Sequence, residues 1–355
     1  MMLTKLSSKP NHNRSARVWG GGLKLGLEIS DHEARMVVGR QSTAGWDMLR
    51  AGRMTLPASL AETPSATAAA IAVWLRREAG ATPGDVVATL PTSLFEYESV
   101  PVSAEEVAGT NADATARQLM IELLGEQLDE FSFDYFTSES NQGTKLHLAW
   151  AARSILVPVA EGLSRSGWRI AAFDLPVVAL ARWGQFTERP ASQLIVELND
   201  TDANFVWAIN GTPNYLRTRI TIGSQPPAQL VSTRRRVSLA TAETSLAVWG
   251  IDPTELPALA ELNESCLNDW LERLGYEIHR TLQFIHGGMP ASSTQEVVLC
   301  GAGAGIKGLD VWLSQQLSTS VSIATLPTWC RWRSAAPYRP SYAIALANSQ
   351  YGVVR

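Results

Sequence analysis

The 355-residue chain is poor in cysteine. Cys266, Cys300 and Cys330 lie far apart, with no CxxC and no paired Cys and His. That spacing excludes a disulfide framework and the usual zinc motifs, and it fits a reducing compartment. Nowhere do 18 apolar residues run together, so no membrane span is expected. The N-terminal "MMLTKLSSKPNHNRSAR" is basic but lacks the apolar stretch of a signal peptide. It reads as a disordered tail over residues 1–20. The C-terminal "ANSQYGVVR" offers no amphipathic anchor. There is no G-x-x-x-x-G-K-[ST], which excludes a P-loop, and no GxSxG. Strong charge of one sign is also missing. A net charge of −4 argues against a dedicated nucleic-acid binder. The one basic run, Arg234-Arg235-Arg236, reads as a solvated face. The five histidines show no ligand spacing.

What is present is an α/β pattern that starts twice. "LGLEISDHEARMVVG" (Leu25 to Gly39) predicts strand, tight turn and strand, and "WDMLRAGRMTLP" a third strand. "SATAAAIAVWLRREAG" has helical composition with Gly80 as its stop. "DVVATLP" predicts a buried strand, and "FEYESVPVS" continues extended. Ser103 and Glu106 have capping-box spacing. "ATARQLMIELLGEQL" predicts a helix. "FSFDYFTSES" and "KLHLAWAA" predict a strand pair around "NQGT". Near Arg189-Pro190 the pattern restarts. "LIVELNDTDANFVWAING" again predicts strand, turn and strand. Residues 254–286 predict a helix, with Leu271, Leu274, Ile278, Leu282 and Ile285 at three- and four-residue steps. "EVVLCGAGAGIKGLDVWLSQQL" predicts strand, glycine loop and helix, and "SYAIALANSQYG" a closing helix. A weak internal repeat of this kind implies two α/β halves facing each other across a cleft. The twelve tryptophans are spread along the chain, which assigns them to core packing rather than to one aromatic cage.

The glycine loop has two readings. From Gly303 it matches G-x-G-x-x-G after a strand. A dinucleotide site would need an acidic residue about 20 positions further on, and no Asp or Glu follows Asp310. The other reading is that Gly301 and Gly303 leave room for the backbone to approach an adenosine. That reading requires two hairpin turns to supply N–H groups and carboxylates to phosphates and Mg²⁺. The two strand–turn–strand segments stand in the right order for it.

Two turn hairpins, a late "GAGA" loop and an alanine-rich C-terminal helix resemble the actin-like ATPase superfamily. Finer segments narrow the resemblance. "VVATLPTSLFEYESVPVSAEEV", "LDEFSFDYF", "LHLAWAARSILVPVAEGLSRSGWRIAAFDLPVVALAR", "LERLGYEIHRTLQFIHG" and "VVLCGAGAGIKGLDVWLSQQL" are similar to successive blocks of the type IV pilus assembly protein PilM family, in order, over about residues 23 to 350. The resemblance implies an actin-like fold of two duplicated α/β domains, with an extra small α+β subdomain in the first. It implies domain 1 over 21–184, with subdomain 1A over about 21–88 plus 333–355 and an inserted subdomain 1C over about 89–180. Domain 2 is expected over 185–332, with 2A over about 190–225 and 294–332 and 2B over about 226–293. It implies a cytoplasmic scaffold, peripheral to the inner membrane, that holds the N-terminal cytoplasmic tail of a PilN-like single-span protein. The tail is expected in a groove between 23–88 and 89–180. Contacts with other pilus motor components and self-association belong to the same expectation, without nucleic acid or direct membrane insertion.

The resemblance also implies an ATP and Mg²⁺ site at Glu28, Ser30, Glu197, Asn199, Gly301 and Gly303, with Glu28 and Glu197 as metal ligands. Here the chain departs from the family. An Asp and a Gly of each turn correspond to Glu28 and Ser30, and to Glu197 and Asn199. The extra methylene of Glu moves a carboxylate by roughly 1.5 Å, and misplacement of about 1 Å can cost a hundredfold in rate. Asn tolerates positive φ better than Ser does. A weakened nucleotide site with little turnover is one expectation. The other is a purely structural cleft, with both glutamates as water-exposed turn ends. A GspL-like cytoplasmic component of type II secretion shares the architecture but continues into a membrane span and a periplasmic domain. A small-molecule kinase of the same fold would need sound Mg²⁺ ligands and a base. An FtsA-like filament protein would carry a C-terminal membrane helix.

Overall fold

The computed structural model describes residues 22–43, 45–80, 84–109, 111–140, 143–185, 192–251, 264–287 and 296–351. The expected disordered tail, the restart point at Arg189-Pro190 and the first part of the 254–286 helix lie outside these residues. The chain divides into two compact units. The first runs to Ala179 and takes in Pro327–Tyr338 and the stretch from Ile344 onward; the second is Leu180–Leu326 with Arg339–Ala343.

The first unit is built on six strands. β1 (Lys24–Ile29), β2 (Glu33–Ser42) and β3 (Gly45–Thr55) form an antiparallel meander. β4 (Asp85–Thr89) and β8 (Arg169–Asp174) continue parallel to β1, and β14 (Cys330–Trp332) adds a parallel edge beside β3. The order is β14-β3-β2-β1-β4-β8. β1 and β4 are buried nearly throughout, as strands covered on both faces are. The helix α1 (Pro64–Glu78) ends where the sequence predicts, with Gly80 at φ +85°. α1 packs against α3 (Arg153–Ser164) so closely that a Cβ on Gly162 would lie 2.5 Å from the Ala68 methyl.

The closing helix, α9 (Ala343–Ser349), docks on β1. A side chain at Gly26 would meet the Ala345 carbonyl oxygen at 1.8 Å, so glycine is required there. Asn348 Nδ2 donates to the Leu27 carbonyl at 3.0 Å, and Lys24 Nζ to that of Tyr351 at 3.0 Å.

A small antiparallel sheet is inserted in this unit, in the order β5 (Glu96–Val102), β7 (Gly143–Ala152), β6 (Phe131–Ser140). The helix α2 (Asn111–Leu124) covers one face through Ala116 and Met120 on Leu146 and Leu148. On β7, His147 stacks on Phe136 and meets the Tyr97 hydroxyl. Its Nδ1 is 2.7 Å from Ser99 Oγ and its Nε2 2.7 Å from Ser138 Oγ. The ring therefore ties all three strands together. Burial pushes the His147 pKa down to about 4 and raises that of Tyr97. The capping-box bonds predicted at Ser103 and Glu106 form, at 2.7 and 3.3 Å. They close a turn and do not start a helix: Gly109 at φ +58° interrupts the chain, and α2 begins at Asn111.

The second unit repeats the first pattern. β9 (Ser192–Leu198), β10 (Ala203–Ile209) and β11 (Thr212–Ile220) are antiparallel; β12 (Glu296–Cys300) and β13 (Ser320–Ile323) follow parallel to β9, in the order β11-β10-β9-β12-β13. α4 (Pro176–Gln185) precedes β9, and α5 (Gln225–Arg235) and α6 (Leu239–Trp249) follow β11. α7 (Glu264–Gly287) places Leu271, Leu274, Ile278, Leu282 and Ile285 in the core, and α8 (Leu309–Leu317) follows the glycine loop. Trp46, Trp183 and Trp207 are among the largest fully buried side chains, as even spreading implies, while Trp249 is exposed.

Candidate functional site

The two hairpins superpose in sequence register. Glu28, Ser30, Glu33 and Arg35 occupy the places of Glu197, Asn199, Asp202 and Asn204. In the first, Ser30 N–H donates to the Glu33 carbonyl at 2.8 Å; in the second, Asn199 N–H donates to the Asp202 carbonyl at 2.9 Å. In both, the glutamate lies directly across the ladder from the residue seven positions on, Glu28 opposite Arg35 and Glu197 opposite Asn204.

The partners differ in chemistry. Arg35 Nη1 lies 2.6 Å from Glu28 Oε1, and its Nη2 lies 3.0 Å from Glu33 Oε2. One guanidinium fork thus clamps two carboxylates. Asn204 Nδ2 donates to Glu197 Oε2 at 2.7 Å, while its Oδ1 accepts Arg219 N–H at 3.2 Å. Glu28 is 4% exposed, Arg35 3% and Glu197 3%. The expectation of water-exposed turn-end glutamates is therefore corrected. A strand that is buried on both faces carries its polar end into the interior, and the cross-strand partner compensates it. The turns also show no strain. Neither Ser30 nor Asn199 has positive φ, so the absence of glycine costs the backbone nothing here.

Each glutamate heads a row across its sheet. Thr89 on β4 lies beside Glu28, and Asp174 on β8 beside Thr89; all are buried. Asp174 Oδ1 accepts the Leu175 N–H at 2.9 Å. In the second unit the neighbour of Glu197 is Cys300. Arg35, Asn204, Thr89 and Asp174 were not singled out by sequence reasoning. The equal seven-residue spacing from Glu28 to Arg35 and from Glu197 to Asn204 is the signal that aligning the two repeats would have found.

The glycine loop is packed against the second hairpin. Gly301 has φ +83°, and a Cβ there would lie 2.5 Å from the Leu198 carbonyl oxygen. A Cβ on Gly303 would lie 2.8 Å from that of Leu198 and 2.9 Å from that of Ser224, while one on Gly305 would meet nothing within 4 Å. Ser224 N–H in turn donates to the Asn199 carbonyl at 2.8 Å. Hairpin, loop and the entry to α5 hold one another. The structure thus brings Glu197, Asn199, Gly301 and Gly303 together in the second unit, and Glu28 and Ser30 together in the first. The space that glycine opens at 301 and 303 is taken by the chain's own Leu198 and Ser224.

Both glutamates are buried, and each is held by a partner in its own hairpin. Among the described residues, no group of three or more His, Cys, Asp or Glu is arranged to hold a metal ion.

No protein-family model matches the chain, and neither does any curated protein. Solved structures do. A chain of a PilM-PilN type IV pilus biogenesis complex is 19% identical, with a TM-score of 0.70 over 94% of this chain and 99% of that one. The ethanolamine utilization protein EutJ from Carboxydothermus hydrogenoformans is 12% identical, with a TM-score of 0.54 over 93% of this chain and 89% of that one. The duplicated meander with parallel additions, the inserted small sheet and the closing helix on β1 therefore make up the actin-like ATPase fold in the PilM-like form that the sequence segments resemble.

Proposed function

We propose that the chain is an actin-like scaffold of a type IV pilus or related assembly complex. It works on the cytoplasmic side of the inner membrane and holds the N-terminal tail of a PilN-like single-span protein. One observation carries this reading: the fold matches, over nearly the full length of both chains, a chain of a PilM-PilN type IV pilus biogenesis complex. Among the described residues no helix is long and apolar enough to cross a membrane, which fits attachment through a partner. The tail is assigned to a groove between residues 23–88 and 89–180, within the first unit. An extended peptide there would be held by main-chain bonds and side-chain pockets.

The scaffold is not an enzyme in this reading. ATP and Mg²⁺ are at most weak ligands of Glu28, Ser30, Glu197, Asn199, Gly301 and Gly303, because the two carboxylates and the glycine loop are already engaged within the chain. The test is capture of the purified protein on immobilised tail peptides. A PilN-like tail is expected to retain it, and a scrambled peptide is not. Equal retention by both peptides, or by neither, overturns the reading.

A further inference from the structure

The charge of the chain is unevenly placed. Residues 92–152, which hold the three-stranded sheet and α2, contain eleven acidic side chains and two basic ones, Arg117 and Lys145. The remaining residues contain 23 acidic and 28 basic. The small net charge thus conceals a strongly acidic subdomain on a mildly basic body. Its acids are on the surface: Glu96, Glu98, Glu105, Glu106, Glu122 and Glu126 are all exposed.

The same subdomain presents an open strand. β5 pairs with β7 on one side only. Among the described residues, Tyr97–Val102 make no backbone hydrogen bond outside that ladder. Their outward N–H and C=O groups form a template for another chain. The strand is held firmly from within, because Tyr97 and Ser99 are tied through His147 to Ser138 on β6. Glu96 and Glu98 stand exposed along the edge, and Pro101, which has no N–H, closes the usable stretch at Val100. A charge or a proline alone also serves to blunt an edge. Blunting needs one or two such residues and does not account for acidity across the whole subdomain.

We propose that the outer edge of β5 takes an extended Lys/Arg-rich segment by strand addition, with Glu96 and Glu98 selecting the positive charge. This rests on the scaffold reading and adds to it the docking strand and the chemistry of the tail. The two fit: the cytoplasmic flank of a single-span protein carries an excess of Lys and Arg. Complementary charge also speeds encounter and suppresses wrong partners.

The test uses fluorescence anisotropy on the full chain with a labelled twelve-residue peptide alternating lysine and valine. Controls are its glutamate counterpart and a version N-methylated on alternate amides. The lysine peptide is expected to bind, weakening as salt rises, and the two controls are not. Glu96→Lys/Glu98→Lys should weaken binding at least tenfold. Glu122→Lys/Glu126→Lys, the same charge change away from the edge, should weaken it less than threefold. Equal weakening by both variants, or binding of the N-methylated peptide, overturns strand addition at β5. In the same assay, a PilN-like tail that binds both variants as it binds the wild type leaves the scaffold intact and removes this edge. A tail that binds neither variant nor the wild type removes the scaffold reading itself.

Discussion

The two hairpins share a backbone and differ in how they balance a buried charge. Each closes its turn with the same three-residue bond, and each puts a glutamate at the end of a central strand. Across from Glu28 stands a guanidinium, and across from Glu197 a carboxamide. A buried carboxylate is costly wherever it sits, and a bond from a cation offsets that cost more fully than a bond from an amide. Fold geometry thus fixes the position of the glutamate, while the partner seven residues on was free to change. Each glutamate is held by a partner within its own hairpin.

The largest effect that sharpens this comparison comes from removing one partner. Arg35→Leu strands Glu28 in the interior and should cost about 3–5 kcal/mol in urea unfolding. The double variant Glu28→Gln/Arg35→Met should recover most of that. Equal stability of Arg35→Leu and wild type would show that Glu28 is not buried as a charge.

A second contrast uses acid. His147 belongs to the first unit, and its folded pKa of about 4 lies below the ordinary 6.5. Between those values the unfolded chain takes up a proton that the folded chain refuses. The stabilisation is therefore complete above pH 6.5, falls as the pH drops, and is gone near pH 4. Its upper bound is about 3 kcal/mol. Calorimetric scans from pH 7 to 4 should show the first unit losing stability, with a smaller slope in His147→Gln. An unchanged slope in that variant would remove His147 as the cause.

The third prediction concerns the loop that supports the second hairpin. Gly301→Ala forces a side chain into positive φ and against the Leu198 carbonyl, at a cost of about 2 kcal/mol. Gly305→Ala meets open space and should stay within about 0.5 kcal/mol. Similar melting temperatures for the two variants would contradict the packing role given to Gly301. Of the variants expected to destabilise, Asn204→Ala should do so least. It removes the bond to Glu197 and the acceptor of the Arg219 N–H and should cost about 1.5–2 kcal/mol, less than Arg35→Leu. A cost equal to that of Arg35→Leu would erase the distinction between the hairpins.

Much of this architecture was legible in the letters. Alternation in "LGLEISDHEARMVVG" and "LIVELNDTDANFVWAING" located both hairpins, because strand periodicity is written locally. Gly80 marked a real helix end. The three-residue strand β14 was not legible. "CRW" has no pattern of its own and becomes a strand only by pairing with β3. The capping-box spacing of Ser103 and Glu106 does form its bonds, but around a turn, since local chemistry does not say whether a helix follows. The burial of Glu28 and Glu197 was also invisible. A glutamate beside a turn looks solvent-facing until the parallel neighbours β4 and β12 are placed beside it. The two glycines show a related limit. Their absent side chains were legible, but whether ligand or protein fills the space is decided by Leu198 and Ser224, about a hundred and about eighty residues earlier in the chain.

The most direct measurement is a calorimetric titration of the PilN-like tail into the purified full chain, once in ATP with Mg²⁺ and once in EDTA. A scaffold whose hairpin carboxylates are held within the fold predicts one tail per chain with the same affinity in both buffers. Binding that occurs only with ATP and Mg²⁺, or in neither buffer, would contradict it.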